Sequence, residues 1–228
     1  MQLGRRELKA SIGVIGGTGP AGSSLALRFA SLGYPVVIGS RDAARAQEVV
    51  REHSKRSPSA MQTLSGMDNA AAAACDVVVM ATPWDGAEAA ALTHGDALGG
   101  KVVVSMVNAL YKQGNNMNSL VLPRGSVAQH LAACLPNSQV VGAFHHAPAK
   151  ELGAFESPLP IDILVCSDFP SATARVISLI GEIPGARGVD AGNLSSALAI
   201  EAMTAVLINV NIRYKTRSSI QLSGIKVP

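Results

Sequence analysis

The apolar run Ile12-Gly13-Val14-Ile15 is followed at once by Gly17-x-Gly19-x-x-Gly22, and a stretch of helical periodicity begins at Pro20. Three glycines at this spacing, between a strand and a helix, are compatible with very few folds. Each glycine answers a separate requirement. Gly17 permits a tight turn, Gly19 lets the backbone approach a pyrophosphate, and Gly22 allows the helix to press on the strand. The free N–H groups and the dipole at the helix start face the anion. The helix is expected to bury Leu25, Phe29 and Leu32 on one side. Gly22, Ala26 and Ala30 form a small-residue stripe, and Gly33 marks its end.

Further short apolar runs alternate with helical segments, the pattern of a parallel sheet wrapped by helices. Strands are expected at Ser11 to Gly16, Pro35 to Gly39, Met61 to Leu64, Val77 to Ala81, Val102 to Ser105 and Val140 to Phe144. After Ala149 the pattern becomes a strand at Ile161 to Cys166, a helix opened by Pro170, an extended piece near Val189, and one long helix from Leu194 to Tyr214. Loops are expected near Gln113 to Asn118 and Ser157 to Pro160. The fold class is therefore α/β, a doubly wound parallel sheet of Rossmann type with a small C-terminal α/β part. The expected division is a flexible tail over 1–10, a nucleotide-binding domain over 11–149 and a small C-terminal part over 150–228.

At 228 residues and 48% apolar, such a chain buries roughly 70% of its unfolded surface, enough for one sizeable core. The net charge of +3 comes without a dense basic run, which argues against nucleic acid and for a small anionic ligand. Cys75, Cys134 and Cys166 are widely spaced and odd in number, as expected of buried thiols in a reducing cytoplasm, neither a disulfide framework nor a metal site. Arg5 and Arg6 precede an apolar stretch as in a twin-arginine signal. Cleavage there would destroy the glycine motif, so a lead-in tail is expected instead. The densest apolar run, Ala202 to Ile212, holds two asparagines and falls short of a membrane span, so no membrane partner is expected.

The second strand ends Gly39-Ser40-Arg41, where NAD binders carry an acidic residue for the ribose hydroxyls. A hydroxyl and a guanidinium there suit a 2'-phosphate, and Arg45 can close its other side, which points to NADP(H). Two solvent-exposed arginines are the plainer alternative. Ligands of such sheets lie beyond the carboxyl ends of the strands. The fourth strand leads into Thr82-Pro83-Trp84, with Thr82 placed to cap a helix that begins at Pro83. Trp84, the sole tryptophan, can pack or stack on a ring. The fifth strand ends Met106-Val107-Asn108, where Asn108 can reach a nicotinamide amide or simply bond the turn. His145 and His146 close the sixth strand. As neighbours in a strand only one of them faces the site, and they lack the spacing of a zinc site.

Four stretches, "GGTGPAGSSLALRFASLGYPVVIGSR", "ATPWD", "GAFHHAPA" and "DAGNLSSALAIEAMTAVLINVNIRY", carry a resemblance to the coenzyme F-420-dependent NADP oxidoreductases over nearly the whole chain. The resemblance implies an oxidoreductase moving hydride reversibly between NADP(H) and the deazaflavin coenzyme F-420. It implies that Gly17, Thr18, Gly19, Pro20, Ala21 and Gly22 hold the pyrophosphate, and Ser40, Arg41 and Arg45 the 2'-phosphate. Thr82, Pro83 and Trp84 would flank the cofactor cleft. His145, Pro148 and Ala149 would line the deazaflavin ring, with His145 the candidate for positioning the ring or stabilising its charge. His146 and Ala109 depart from the less polar residue and the proline expected at those places.

Such a reaction needs alignment and exclusion of water more than a nucleophile or a metal. Met106 and Val107 would help to wall the site. Between Leu194 and Ile212 the only charge is Glu201 and apolar side chains run all round, so the long C-terminal helix is either buried or shared between subunits, and a cytoplasmic homodimer is expected. Arg213, Lys215 and Arg217 are either a solvated surface or an attractant for the anionic tail of F-420. Two other functions fit the same loop: reduction of another small acceptor such as a carbonyl, imine or metal chelate, and non-catalytic sensing of NADPH. No Tyr-x-x-x-Lys occurs, which argues against a short-chain dehydrogenase.

Overall fold

The computed structural model describes residues 9–56 and 62–225. Arg5, Arg6 and Met61 lie outside these residues. In chain order the elements are β1 (Ile12–Ile15), α1 (Pro20–Ser31), β2 (Val36–Ser40), α2 (Ala43–Arg56), β3 (Leu64–Asp68), α3 (Asn69–Ala73), β4 (Val77–Met80), α4 (Ala87–Leu98) and β5 (Val102–Ser105). A hairpin of β6 (Leu110–Gln113) and β7 (Asn116–Ser119) follows. Then come α5 (Val127–Cys134), β8 (Gln139–Gly142), α6 (Ala149–Gly153), β9 (Ile161–Ser167), α7 (Pro170–Gly181), β10 (Ala186–Asp190) and α8 (Ala197–Tyr214).

Eight strands form one sheet in the order β10-β9-β8-β5-β4-β1-β2-β3. From β3 to β8 all pairings are parallel, in the doubly wound order of a Rossmann fold. The chain runs outward from β1 to β3 and returns to β4 on the other side of β1. A crevice therefore opens beyond the carboxyl ends of β1 and β4. Alternating side chains divide the interior into two apolar layers. Val14, Val79 and Val104 meet Leu25 and Phe29 of α1, while Ile15, Val78 and Val103 meet Ala72, Ala91 and Leu131 on the opposite face. Gly13 makes this second layer possible. A β-carbon there would sit 1.9 Å from the Ala72 carbonyl oxygen, so α3 could not press onto β1.

Three expectations need correction. The third strand is Leu64–Asp68 and not Met61 to Leu64. It is the sheet edge, where Ser65 and Asp68 face solvent, so it lacks the apolar run that marks a buried strand. The loop expected near Gln113 to Asn118 is the β6–β7 hairpin, turning at Gly114 with φ 58°. The sixth strand stops at Gly142 because Phe144 adopts φ 63°, a left-handed conformation that no strand continues through.

β9 and β10 are parallel to one another, and β9 joins β8 antiparallel. Only two residue pairs are shared, Val141 with Ser167 and Gly142 with Cys166. Ile161 to Val165 therefore project past the end of β8, by about 16 Å at the rise of an extended strand. This overhang forms a second wall beyond the carboxyl edge of the parallel strands.

Helix α8 divides into two halves. Ala197, Ile200, Glu201, Thr204 and Ala205 are buried, whereas Val206 and Ile212 are 60% and 52% exposed. With the 3-10 turn before it, the helix spans 21 residues, with mean hydropathy 1.4 over an 18-residue window, long and apolar enough to cross a membrane by those measures. Its polar side chains serve the fold instead. Glu201 accepts the backbone N–H groups of Val127 and Ala128 at the start of α5, and Asn209 exchanges two hydrogen bonds with the backbone of Met117 in β7.

Candidate active site

Backbone hydrogen bonds join the segments expected at the site into one continuous rim. The Gly17 N–H donates to Gly39 O at 2.9 Å, which sets the glycine loop beside Ser40 and Arg41. Ala81 N–H donates to Ile15 O at 2.9 Å, Met106 N–H to Met80 O at 3.2 Å, and Ala143 N–H to Ser105 O at 3.1 Å. The residues beyond β1, β2, β4, β5 and β8 thus lie side by side at one edge of the sheet.

The three motif glycines differ in what surrounds them. A β-carbon on Gly17 would lie 2.8 Å from Val14 O, and one on Gly22 would lie 2.9 Å from the Ala81 β-carbon. Nothing lies within 4 Å of one on Gly19, which has an ordinary φ of −75° and caps α1. Two of the glycines therefore serve the packing of the loop, and the third opens outward at a helix N-terminus, where an anion belongs. Thr18, Pro20 and Ala21 complete this loop, all at least partly accessible. Asn69, the first residue of α3, accepts the Gly16 N–H at 3.1 Å and holds the loop from below.

At the end of β2, Ser40 is buried and its Oγ accepts the Asp42 N–H at 3.2 Å. Arg41 and Arg45 are exposed, and neither makes an ion pair among the described residues. Two guanidinium groups without an ion pair among the described residues thus follow the strand end that Gly17 bonds to.

Thr82 is not a helix cap. Pro83 instead precedes a single 3-10 turn, Trp84–Gly86, and α4 starts only at Ala87 with Gly86 before it. Thr82 Oγ1 is left buried without a hydrogen-bond partner beside Gly16. Pro83 is exposed, and Trp84 keeps 36% of its surface. Met106 and Val107 are buried on opposite layers of the core.

The sixth strand's end is built differently from the strand model, because the left-handed Phe144 turns the chain and both histidines become buried. His145 Nδ1 lies 3.1 Å from Val107 O, to which it donates, while the His145 carbonyl accepts from Asn108 Nδ2 at 2.8 Å and Thr204 Oγ1 at 3.0 Å. Asn108 therefore bonds the turn. Burial, and then His146, push the His145 imidazole down to about 3, so the ring is neutral. His146 Nε2 accepts the Leu164 N–H of β9 at 3.3 Å, and burial pushes it down to about 4. Pro148 and Ala149, half-buried, open α6.

Arg28, which sequence reasoning passed over, shapes the far side. This α1 residue is 1% exposed, and its five N–H groups meet five backbone carbonyls: Leu152 at 2.9 Å, Phe155 at 3.0 Å, Ser157 at 2.9 Å, Glu151 at 2.7 Å and Ala154 at 2.9 Å. Gly153 lets α6 come this close, since a β-carbon there would lie 2.9 Å from Ser24 Oγ. The only sequence signal is a charge set among Leu25, Ala26, Leu27 and Phe29.

A family model described as NADP oxidoreductase, coenzyme F-420-dependent, matches residues 11–109. An F-420-dependent NADP reductase of Methanocaldococcus jannaschii is 33% identical over 222 residues, covering 95% of this chain and 99% of the relative. The chain belongs to the F-420-dependent NADP oxidoreductases. The reductase of the same name from Methanothermobacter thermautotrophicus is 34% identical over 223 residues, with 95% of this chain and 94% of the relative covered. Among solved structures, a protein of Arthrobacter sp. FB24 described as an F-420-dependent NADP-reductase superposes with a TM-score of 0.77 over 95% of this chain and 100% of its own, at 23% identity. It supports the fold.

Proposed function

We propose that this chain transfers hydride reversibly between NADP(H) and coenzyme F-420 in the crevice beyond β1 and β4. The observation that carries the reading is the continuous rim, open at Gly19 and bonded through Gly17 to the end of β2, where the exposed Arg41 and Arg45 follow, in a chain of this family. The two coenzymes supply the hydride donor and acceptor carbons; the protein supplies the alignment.

The residues present fit both coenzymes. The N–H groups at the start of α1 receive the pyrophosphate, with Gly19 allowing close approach and Thr18, Pro20 and Ala21 shaping the turn. Ser40, Arg41 and Arg45 receive the 2'-phosphate. Thr82, whose hydroxyl is buried and unpartnered, together with Pro83, Trp84, Met106 and Val107, borders the space between the coenzymes. His145, Pro148 and Ala149 form the deazaflavin side, backed by the projecting part of β9. A neutral His145 cannot supply positive charge, so its part is to fix the ring's position by tying together Val107, Asn108 and Thr204. Holding the two rings face to face and dry is the principal means of rate enhancement here.

Residues 150–228 act as the unit that supports this side and pairs subunits. The exposed apolar second half of α8 suits contact with a second copy in a cytoplasmic homodimer. Arg213, Lys215 and Arg217 stand near that end. Arg217 pairs with Glu151 at 3.3 Å. They would draw the anionic tail of F-420, and neutralising all three should raise its KM and reduce the salt dependence.

One assay tests the reading. Purified protein with NADPH and oxidised F-420 should bleach the deazaflavin absorbance rapidly, while NADH in place of NADPH, or FMN in place of F-420, should not support turnover. Intact NADPH binding without bleaching would overturn it.

A further inference from the structure

Away from the crevice, Glu88 of α4 and His130 and Cys134 of α5 bring a carboxylate, an imidazole and a thiol together. One ligand atom from each lies within 4.8 Å of the other two. We propose that these three side chains form a binding site for a divalent cation of zinc type, bridging α4 and α5.

The geometry comes from helix periodicity. His130 and Cys134 are one turn apart, so their side chains stack on one face of α5, and that face looks onto the first turn of α4. His130 Nε2 is 3.1 Å from Glu88 Oε2. Bond lengths to zinc of about 2.0 Å for N and O and 2.3 Å for S put tetrahedral ligands about 3.3–3.6 Å apart. The N–O edge, at 3.1 Å, is within about 0.2 Å of that length. The sulfur needs to close by no more than about 1.5 Å to complete the set, within the reach of a side-chain rotation.

The donor set is selective. Imidazole, thiolate and one carboxylate suit a borderline-soft cation and are a poor cage for calcium or magnesium, which take oxygen. Glu88 is more than half exposed, leaving a fourth position open to water. His130 Nδ1 is buried without a hydrogen-bond partner, so the ring's one polar contact is directed at this cluster. The spacing of the cysteines alone conceals the site, because its third member comes from another helix.

The test uses the full chain in a non-thiol reductant, titrated with Co²⁺ and followed by absorption. One equivalent per chain should give the intense visible bands of four-coordinate cobalt and a thiolate-to-cobalt charge-transfer band in the near ultraviolet. Cys134→Ser should abolish the charge-transfer band, and His130→Gln or Glu88→Gln should weaken binding at least about tenfold. Zn²⁺ should displace the cobalt and raise the melting temperature of the wild type but not of Cys134→Ser. Weak six-coordinate spectra in the wild type, or a charge-transfer band that persists in Cys134→Ser, would overturn the proposal. Cys75 and Cys166 are buried elsewhere and do not confuse the reading.

Discussion

Arg28→Met keeps the aliphatic stem and removes the guanidinium that gathers residues 151–157 onto α1. Five charge-assisted hydrogen bonds disappear at once. The loss is smaller than five times a single bond. Ala154 and Ser157 are exposed and Glu151 and Phe155 half-exposed, so those carbonyls can turn to water, and only Leu152 is stranded in the core. Burial also depresses the guanidinium's basicity, a sign that it carries a desolvation cost that methionine would relieve. One stranded carbonyl at 1–3 kcal/mol plus a few partly compensated bonds gives about 3 kcal/mol. In a chain of this length that lowers the melting temperature by about 6–12 °C. The loosened segment begins at Pro148 and Ala149, so the effect on function should be one-sided. The KM for F-420 should rise at least about fivefold, equivalent to roughly 1 kcal/mol, while that for NADPH stays within about twofold. Arg28→Lys should resemble Arg28→Met, because an ammonium cannot reach five carbonyls from one place. Thermal unfolding and steady-state kinetics with each coenzyme varied in turn decide the matter. A melting temperature within about 2 °C of wild type, or equal rises in both KM values, would refute the reasoning.

Gly19→Ala should leave the melting temperature unchanged and weaken NADPH binding, since its β-carbon meets only the space proposed for the pyrophosphate. Gly22→Ala, which strikes the Ala81 β-carbon, should cost about 1–3 kcal/mol of stability; calorimetry and NADPH titration separate the two. Replacing Arg41 and Arg45 together by glutamine should weaken NADPH about thirtyfold or more, for a loss of 2 kcal/mol, with little effect on NADH, and equal losses would count against a 2'-phosphate site. Burial pushes Glu201 up to about 7, so the folded chain holds that proton more tightly than the unfolded one. Its contribution is complete below about pH 4.5 and is lost as pH rises through 7, by up to about 3 kcal/mol. Glu201→Gln should flatten denaturant stability across that window, and an unaltered slope would contradict the assignment. His145 and His146 should remain neutral down to about pH 5 by NMR, and an inflection near 6.5 in either ring would show that burial does not govern them.

What could be read in the sequence was whatever repeats locally. The glycine loop, the alternation of apolar runs and helices, and the hydroxyl–arginine pair after β2 each depend on neighbours within a few residues, and they correctly placed the parallel strands from β1 to β8 except at β3 and at the end of β8. Contacts decided by distant partners were not readable. Arg28 looks like a stray charge on an apolar face until the carbonyls more than 120 residues away are seen. Phe144 gives no warning of a left-handed turn, a conformation that favours glycine, and so the histidine pair was placed in a strand. Thr82 followed by proline reads as a cap, yet the 3-10 turn draws its hydroxyl inward. The register between β8 and β9 depends on an antiparallel pairing of only two residues, for which no sequence period exists.

The projecting end of β9 carries a risk of its own. Beyond its short overlap with β8, the strand presents backbone donors with no neighbouring strand on that side, the kind of edge on which chains join into aggregates. Two unlike guards cover it. The Leu164 N–H is taken by His146 Nε2, and the Asp162 N–H by the Ile220 carbonyl at 2.8 Å, with Leu222 N–H donating in turn to the Asp162 carboxylate. A chain cut before Ile220 would keep every residue proposed to touch a coenzyme and still expose a sticky strand end. Its failure would be one of solubility, with activity per soluble molecule preserved.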